Sequence, residues 1–513
     1  MKTRKEGFIK SKMKNEKIIF ILILIIILAT ALRIINLANW PASFNQDEAL
    51  NGYEAYSILK TGRDHRGNFL PVFFEGFSDQ VDNRLPLYIY STIPWMAIFG
   101  LDKFATRLPS AIFGILTVII TYFLAKELFK KESIALLAAF FLTISPWHIF
   151  LSRLGIEAIT VPLFSVLTIF FFLIGLRKNK IFILFAGLSL ALLFYTYHIA
   201  KLLTPLLGGL LLVFYWKEVK ENRVWFLSAF LIFLIISFPF LFIQFGQWTR
   251  IQTRFNQISI FNFSFWPAFL IYNFLTYLTP KFLFTHYPFF IIILFFISLF
   301  LIKQMEAKFL FILILISLLP VVILISNPHS HRSMSIIPFI EILAAFGGWQ
   351  ILNRLKELRV SPKIGYFSFV LIFLFLSFFN LNFLIKNKYP YNFLNGFYQY
   401  VPKEVIDYLK ENQDKYEKIV FTNKANQPYI FFLFYLNYPP EKFQSLKIKR
   451  DYLPDGLQIV NSFDKYRFCD LNECYSPEKN NLYVARINEI TDLEEKKIFY
   501  TVNGSVFRII TND

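Results

Sequence analysis

The first 385 residues alternate between long apolar runs and short polar connections. Most runs reach about 18 residues, the length of helix that crosses roughly 30 Å of hydrocarbon. We therefore predict about eleven membrane-spanning helices. The predicted spans are 18–37, 104–126, 133–151, 155–176, 181–199, 202–216, 224–245, 288–302, 309–326, 334–352 and 364–385.

Two further apolar stretches, 86–100 and 262–280, are broken by proline and polar residues, and they are either spans or interfacial helices. If neither spans the membrane, every short connection rich in lysine or arginine falls on the cytoplasmic side, as the positive-inside rule favours. The N-terminus is then cytoplasmic, and a large loop at 38–103 and the C-terminus lie outside. The first span is expected to remain uncleaved, because no small-residue cleavage site follows it.

The pattern changes after about residue 386, where polar and apolar residues alternate over shorter distances. We predict two domains, a transmembrane domain at 1–385 and an extracytoplasmic α/β domain at 386–513. In the second domain, Cys469 and Cys474 form either a disulfide across a tight loop or two free thiols. The predicted elements of this domain are a helix at 402–412, strands at 418–422, 429–436 and 481–487, and a hairpin at 500–510 that turns at Asn503-Gly504.

Composition agrees with a membrane protein, since 56% of the residues are hydrophobic, 17% are charged and the mean hydropathy is +0.49. The net charge of +18 does not indicate nucleic-acid binding. The basic residues lie in short clusters between the apolar runs, and no basic stripe is interleaved with aromatic residues. The abundance of lysine, asparagine, isoleucine and phenylalanine is typical of an AT-rich bacterial genome. We expect a multi-pass protein of a bacterial-type plasma membrane.

Two adjacent carboxylates, Asp47 and Glu48, lie in the outer loop directly beyond the first span. A carboxylate at the membrane surface can accept the proton of a hydroxyl group that attacks an electrophile. The alternative is a solvated turn in which Asp47 caps a helix over 48–59. The spacing alone does not separate these two interpretations.

The same loop carries Asp82 and Arg84 where the chain returns to the membrane. The guanidinium of Arg84 offers a fork of donors that fits the phosphate of a lipid headgroup. The alternative is an arginine that snorkels to the interface. Arg107, at the start of the second span, has the same two interpretations.

Further polar groups are predicted on the outer side of the membrane. His148, Arg153 and Glu157 lie between two spans, where unpaired charges are costly, and an Arg153–Glu157 ion pair is the structural alternative. Two other connections combine cations with hydrogen-bond donors that suit a phosphate. They contain Tyr195, Tyr197 and Lys201 in one case, and His331 and Arg332 in the other.

His329 and His331 are separated by one residue. Two histidines without a clear third ligand do not usually form a zinc site. We therefore expect no metal ion and no cofactor.

Taken in order, these motifs resemble those of the GT-C glycosyltransferases. They are the Asp47-Glu48 pair, Arg107-Leu-Pro-Ser-Ala-Ile-Phe-Gly, Ser145-Pro-Trp-His-Ile-Phe-Leu-Ser-Arg and Tyr195-Thr-Tyr. The resemblance covers about residues 15–350. It is strongest to the branch that contains bacterial protein O-mannosyltransferase-like enzymes and the aminoarabinose transferases of lipid A, which is glycosyltransferase family 39-like. It implies an α-helical polytopic membrane protein of GT-C type, and the apolar pattern adds about 11–13 transmembrane helices and a small C-terminal extracytoplasmic α/β domain. Residues 386–513 match no motif of the family.

The resemblance implies a polyprenyl-phosphate sugar as donor, used on the outer face and usually without metal. The acceptor is a protein, a lipid or a glycan. Asp47 matches the residue that activates the acceptor, Glu48 matches the second acidic residue, and Arg84 matches the residue assigned to the donor phosphate. The lipid A transferases have a glutamate directly before that basic residue, whereas this chain has Asn83. This departure puts the same acceptor in doubt.

We expect a single inverting displacement in which cations stabilise the departing lipid phosphate. Asp47 and Glu48 are the predicted catalytic residues. The predicted donor ligands are Arg84, Tyr197, Lys201, His331 and Arg332. The predicted supporting residues are Asp82, Arg107, His148, Arg153, Glu157 and Tyr195.

Three other functions compete with a transferase. A transporter or flippase would show an internal repeat and paired broken spans around a midplane site, and the sequence shows no repeat. A lipid-linked oligosaccharide ligase or polymerase would use a similar donor with a different acceptor. A membrane scaffold would leave the charged residues at the membrane surface unexplained.

Overall fold

The structure is a computed structural model of the whole chain. The residues that it describes are 2–42, 44–77, 83–246, 255–256, 258–300, 302–325, 328–358, 371, 375, 378, 401–446, 448–452, 458–476, 480–489, 495–500 and 506–511. Apart from Leu371, Phe375 and Phe378, the predicted span 364–385 lies outside these residues. The predicted domain boundary near residue 385 lies outside them as well.

Helices dominate the described part of residues 2–358. They are α1 (Lys2–Ile34), α2 (Gln46–Thr61), α3 (Pro86–Phe99), α4 (Lys103–Phe129), α5 (Glu132–Thr143), α6 (Pro146–Leu151), α7 (Thr160–Arg177), α8 (Ile181–Leu193), α9 (Ala200–Phe214), α10 (Trp216–Glu221), α11 (Arg223–Gly246), α12 (Trp266–Leu278), α13 (Pro280–His286), α14 (Phe289–Phe300), α15 (Met305–Val322) and α16 (Phe339–Glu357). Two short strands, β1 (Phe74–Glu75) and β2 (Asn83–Arg84), pair antiparallel before α3.

Every predicted span between residues 18 and 352 contains a helix. Among the described residues, five helical segments are long and apolar enough to cross a membrane, and four shorter apolar helices occupy other predicted spans. The five are Asn15–Ile34, Lys103–Phe129, Glu157–Arg177, Arg223–Gly246 and Met305–Val322. The chain is therefore a multi-pass membrane protein.

The predicted span 133–151 differs from the structure, because it is divided into α5 and α6. Ser145 has an extended backbone, with φ −64° and ψ 112°, directly before Pro146. Proline disfavours the helical conformation in the residue that precedes it, so the helix ends before this point. The two interrupted stretches form α3 and α12, which have 14 and 13 residues and are shorter than a typical span.

The chain divides into two compact units. The helical unit contains Met1–Ile35, Ser110–Ser152 and Glu157–Asn392, and the mixed unit contains Asn36–Pro109, Arg153–Ile156 and Phe393–Asp513. The residues of the first loop thus belong to the same unit as the C-terminal segment, whereas the sequence assigned that loop to the transmembrane domain. In the helical unit, α8 packs between α7 and α11, and α16 packs against α5, α14 and α15.

The C-terminal part of the mixed unit is an α/β fold around a six-stranded sheet. Its strand order is β6-β7-β3-β8-β10-β9, in which β3 runs parallel to both of its neighbours and the outer pairs are antiparallel. The helices are α17 (Lys403–Asn412), α18 (Pro428–Tyr435), α19 (Pro440–Ser445) and α20 (Leu471–Cys474). The strands are β3 (Lys418–Thr422), β4 (Arg450–Tyr452), β5 (Gln458–Val460), β6 (Ser462–Phe463), β7 (Tyr466–Cys469), β8 (Asn481–Arg486), β9 (Glu495–Tyr500) and β10 (Val506–Thr511).

Most predictions for this segment are confirmed. The helix at 402–412, the strands at 418–422 and 481–487, and the hairpin that joins β9 to β10 are present, although the Asn503-Gly504 turn itself lies outside the described residues. The strand predicted at 429–436 is wrong, because α18 occupies this position. A short run that is buried on all sides does not distinguish a strand from a helix by periodicity, and Pro428 at the first helical position was the overlooked signal.

Cys469 and Cys474 are joined in a disulfide. It links the end of β7 to α20, and both cysteines pack with Leu471 and Tyr483 against one face of the sheet. The opposite face carries the larger core of the mixed unit, which includes residues of α2, α17, α18 and α19.

Candidate active site

The first turn of α2 is fixed by a capping box. The Asn45 side chain accepts a hydrogen bond from the Glu48 N–H at 2.8 Å, and the Asn45 N–H donates to Glu48 Oε2 at 3.2 Å. The prediction that Asp47 caps this helix is wrong, since Asn45 holds that position. Asp47 lies within the first turn, where the helix dipole favours a negative charge.

Glu48 is fully buried and forms an ion pair with Arg107, which is also fully buried. Its Oε1 accepts from Arg107 Nε at 2.7 Å and from the Gly155 N–H at 2.8 Å. Its Oε2 accepts from an Arg107 terminal nitrogen at 3.1 Å, in addition to the Asn45 N–H. Arg107 therefore does not snorkel, and the carboxylate of Glu48 is surrounded by donors from the protein.

The other carboxylate, Asp47, forms an ion pair with Arg84. The side chain of Asp47 is 34% exposed, whereas that of Arg84 is only 8% exposed. Arg84 lies in β2 beside Phe74 of β1, and its guanidinium is 5.6 Å from the ring centroid of Phe77. This arrangement presents one accessible carboxylate next to a mostly buried cation.

An accessible carboxylate can accept a proton from a hydroxyl group, and a guanidinium can bind a phosphate with two hydrogen bonds. The two residues to which the sequence assigned these functions, Asp47 and Arg84, are therefore in contact. Asn83 precedes Arg84 in β2. Asp82, the predicted supporting residue of this loop, lies outside the described residues.

Arg153 lies on the same unit and contacts Trp40. Its guanidinium is 4.7 Å from the Trp40 ring centroid, and its Nε donates to the Trp40 carbonyl at 2.9 Å. Burial, together with the nearby charge of Arg107, lowers the pKa of Arg153 to about 10, so Arg153 stays protonated at neutral pH. Arg153 thus adds a permanent positive charge near the Glu48–Arg107 pair.

In the helical unit, His148 is buried and is tied to α1. Arg33, in the last turn of α1, donates to His148 Nδ1 at 2.8 Å and to the Leu142 carbonyl at 3.2 Å. The sequence analysis missed Arg33. A cation inside the otherwise apolar first span was the signal, because such a residue needs a buried partner.

The helical unit also contains the predicted residues Tyr195, Tyr197, Lys201 and Glu157. Tyr195 donates to the Ile236 carbonyl at 2.6 Å, and Lys201 lies 5.9 Å from the ring centroid of Phe240. The ring of Tyr197 packs edge-on to His198 at 5.7 Å. Glu157 is buried at the start of a short 3₁₀ helix.

His329, His331 and Arg332 lie in the connection between α15 and α16. Burial and neighbouring positive charge lower the pKa of His329 to about 4 and that of His331 to about 3. At neutral pH, both imidazoles are therefore uncharged, and only Arg332 supplies a permanent cation here. Within the described residues, no three histidine, cysteine, aspartate or glutamate side chains converge on a common point where they could hold a metal ion.

A family model of the dolichyl-phosphate-mannose-protein mannosyltransferases matches residues 85–243. This region begins directly after Arg84 and includes Arg107, His148, Arg153, Glu157, Tyr195, Tyr197 and Lys201. No curated protein sequence shows a significant match to the chain.

Two solved structures of one protein superpose on nearly the whole chain. They are ArnT from Cupriavidus metallidurans bound to undecaprenyl phosphate, with a TM-score of 0.56, and the same protein in the apo state, with a TM-score of 0.54. Both are 12% identical in sequence to this chain. The first match covers 95% of this chain and 97% of ArnT, and the second covers 98% and 99%.

A third similar structure is the oligosaccharyltransferase of Archaeoglobus fulgidus, tethered to an acceptor peptide that contains the NVT sequon. It has a TM-score of 0.52 and 15% identity, and the match covers 86% of this chain and 61% of the archaeal protein. At these identities, the comparison establishes a shared fold.

Proposed function

We propose that this chain, which has the GT-C glycosyltransferase fold, moves a sugar from a polyprenyl-phosphate lipid to an acceptor on the outer face of a bacterial-type plasma membrane. The observation that carries the proposal is the position of Asp47 in the first turn of α2. Its accessible carboxylate forms an ion pair with Arg84 of β2. The similarity to ArnT bound to undecaprenyl phosphate supports a polyprenyl-phosphate donor. A transporter or flippase is not favoured by this fold.

In the proposed reaction, a hydroxyl oxygen of the acceptor attacks the anomeric carbon of the donor sugar. The bond between that carbon and the lipid phosphate oxygen breaks, and the configuration of the carbon inverts. Asp47 accepts the hydroxyl proton, and Arg84 stabilises the negative charge on the departing lipid phosphate. The donor phosphate competes with Asp47 for Arg84, so donor binding leaves the carboxylate available as a base.

Glu48 has a different role in this proposal. Its four hydrogen bonds come from Arg107, Gly155 and Asn45, and none of its side-chain surface is exposed. A carboxylate in this position cannot approach an acceptor without breaking those bonds. We assign Glu48 the role of a positioning residue that fixes the first turn of α2, and hence the direction of Asp47.

Further donor contacts are proposed for the other residues that the sequence assigned to the donor. Lys201 and Arg332 are cations suited to a lipid phosphate, and Tyr197 and His331 can donate hydrogen bonds to it. Because His331 is neutral at pH 7, its contribution would be a hydrogen bond and not an added charge.

The proposal is tested with purified protein, a panel of radiolabelled polyprenyl-phosphate sugars, and a cell-envelope extract as the source of acceptor. We expect release of lipid phosphate by the wild type and its loss in Asp47→Asn, because the amide cannot accept the hydroxyl proton. Asp407→Asn is a matched control, since this exposed aspartate of α17 pairs only with Lys403 among the described contacts and lies outside the proposed site. Release of lipid phosphate by Asp47→Asn at the wild-type rate would show that Asp47 is not the base.

A further inference from the structure

Helix α18 of the C-terminal segment is buried on every side. All eight of its residues, from Pro428 to Tyr435, are buried. One side faces the sheet, where the Phe432 ring lies 5.2 Å from Phe421 of β3 and 5.2 Å from Phe468 of β7. The other side faces α2, the helix that carries Asp47. Helix α18 is therefore a layer between the sheet and the candidate active site.

The start of α2 rests on α18 through Phe44, the residue directly before the cap Asn45. Phe44 is fully buried, and its ring is 4.7 Å from that of Phe434 and 6.1 Å from that of Tyr435. The guanidinium of Arg107 lies 5.6 Å from the same ring. Phe44 lies three residues before Asp47, so its contacts with α18 and Arg107 set the position at which α2 begins.

The middle of α2 is equally confined. A Cβ atom placed on Gly52 would lie 2.6 Å from the Phe434 ring and 2.5 Å from Thr106 Oγ1. Both distances are much shorter than a van der Waals contact. Helix α2 is therefore pressed between α18 and the first turn of α4, and even a methyl group would displace it.

Hydrogen bonds hold the rest of α2 to the same segment. Tyr53 donates to the Tyr438 carbonyl at 2.9 Å. The Gln444 amide of α19 donates to Ser57 Oγ at 3.1 Å and to Thr61 Oγ1 at 3.0 Å. Contacts with the C-terminal segment therefore run from the first to the last turn of α2.

Arg84 receives support from the same helix. The Phe77 ring, which lies 5.6 Å from the Arg84 guanidinium, packs edge-on against Tyr429 of α18 with a centroid distance of 6.4 Å. The Phe77 carbonyl also accepts a hydrogen bond from the Gln458 N–H at 2.7 Å. Arg84 is thus connected to α18 through the Phe77 ring, and the start of α2, the helix that carries Asp47, is connected to α18 through the Phe44 ring.

We infer that the C-terminal α/β domain is part of the catalytic apparatus, in which α18 sets the distance and direction between Asp47 and Arg84. Phe434 and Tyr429 are its positioning residues, and neither reacts with the substrate. The expected effect of α18 on catalysis rests on the proposed function. A displacement of about 1 Å of a reacting group can reduce the rate by about 100-fold, so a small shift of α18 has a measurable effect.

The test compares Phe434→Ala with Phe468→Ala in the full-length protein. Both residues are 2% exposed and belong to the same core, but the ring contacts of Phe468 among the described residues are with Phe432, on the sheet side of α18, and with Phe463 of β6. We expect both variants to lose similar stability, because each leaves a cavity of the same size. Only Phe434→Ala should lower kcat for lipid phosphate release, by about 10- to 100-fold, and Phe434→Leu, which keeps more of the buried volume, should lower it less.

Gly52→Ala provides a second variant that adds a methyl group and leaves no cavity. We expect a loss of kcat of the same order as in Phe434→Ala. Unchanged kcat in both Phe434→Ala and Gly52→Ala, or an equal loss of kcat in Phe468→Ala, would overturn the inference.

Hydrogen exchange of the α2 amides separates this inference from the proposed function. Phe434→Ala should exchange faster over 46–61 than Phe468→Ala does. If the wild type releases no lipid phosphate but this difference in exchange is present, the proposed function fails and the role of α18 in holding α2 stands. If the wild type is active and the exchange of α2 is the same in both variants, the role of α18 fails.

Discussion

At the scale of single residues, Asp47 and Glu48 show how one helical step separates two roles. Consecutive residues of an α-helix project about 100° apart. Asp47 therefore reaches the surface, where it meets Arg84, while Glu48 enters the interior, where it meets Arg107. An acidic pair that looks redundant in sequence is divided into an accessible group and a structural one.

This division predicts different stabilities for two amide variants. Glu48→Gln leaves the guanidinium of Arg107 buried without its counter-charge, which typically costs about 3–5 kcal/mol. Asp47→Asn removes a partly exposed ion pair, which typically contributes less than about 1 kcal/mol. The thermal unfolding midpoint in detergent should fall much further for Glu48→Gln than for Asp47→Asn. Equal midpoints would contradict the structural role of Glu48.

The motifs singled out Asp47, Glu48, Arg84 and Arg107, but they did not predict the pairs that these residues form. Asp47 with Arg84 and Glu48 with Arg107 are 37 and 59 residues apart, so their partners depend on tertiary structure. His148 finds Arg33 across 115 residues for the same reason. Local pattern identifies a costly buried charge but does not identify the group that neutralises it.

At the scale of elements, the long apolar helices were predictable and α18 was not. A span is recognised by its length and composition, which the bilayer imposes. The eight residues of α18 are buried on all sides by a sheet and another helix, so they carry no periodicity. The element with the greatest proposed influence on the site was consequently assigned as a strand.

The connection between α15 and α16 predicts a pH dependence of stability. In the unfolded chain, His329 and His331 have the usual pKa of 6.5, whereas burial first, and then nearby positive charge, lowers their folded values to about 4 and about 3. Below pH 6.5, the unfolded chain therefore binds more protons than the folded chain. The two neutral imidazoles therefore make their full contribution to folding stability above this pH, and the contribution is lost as the pH falls toward 4.

We accordingly expect the thermal unfolding midpoint in detergent to fall between about pH 7 and about pH 5. A double variant, His329→Gln with His331→Gln, should show a weaker dependence over this interval, because the amides do not titrate. The wild type and the double variant are compared at each pH in the same detergent. An identical slope for the two proteins would show that other groups cause the pH dependence.

At the scale of the whole molecule, the apolar pattern predicted the positions of helices well. The distribution of basic residues also predicts on which side of the membrane each connection lies. The connection at α10 is expected in the cytoplasm and α17 outside. Because Cys469 and Cys474 are joined in a disulfide and the chain has two cysteines, a single introduced thiol can be labelled selectively. Glu411→Cys and Glu221→Cys place such thiols at exposed positions of α17 and α10.

In intact cells, a membrane-impermeant maleimide should label Glu411→Cys and leave Glu221→Cys unlabelled. Permeabilisation should make both positions reactive, which serves as the control for accessibility. Labelling of Glu221→Cys alone in intact cells would show that the chain has the opposite orientation in the membrane.

The hydrogen bond from Tyr53 to Tyr438 joins residues 385 positions apart. A ribosome that adds 5–20 residues per second needs roughly 20–80 s to synthesise that stretch. During this interval, the segment with Asp47 has already been made, but the residues that support it have not. A nascent chain in the membrane should therefore acquire activity only after the segment that contains Tyr438 has been synthesised and has folded.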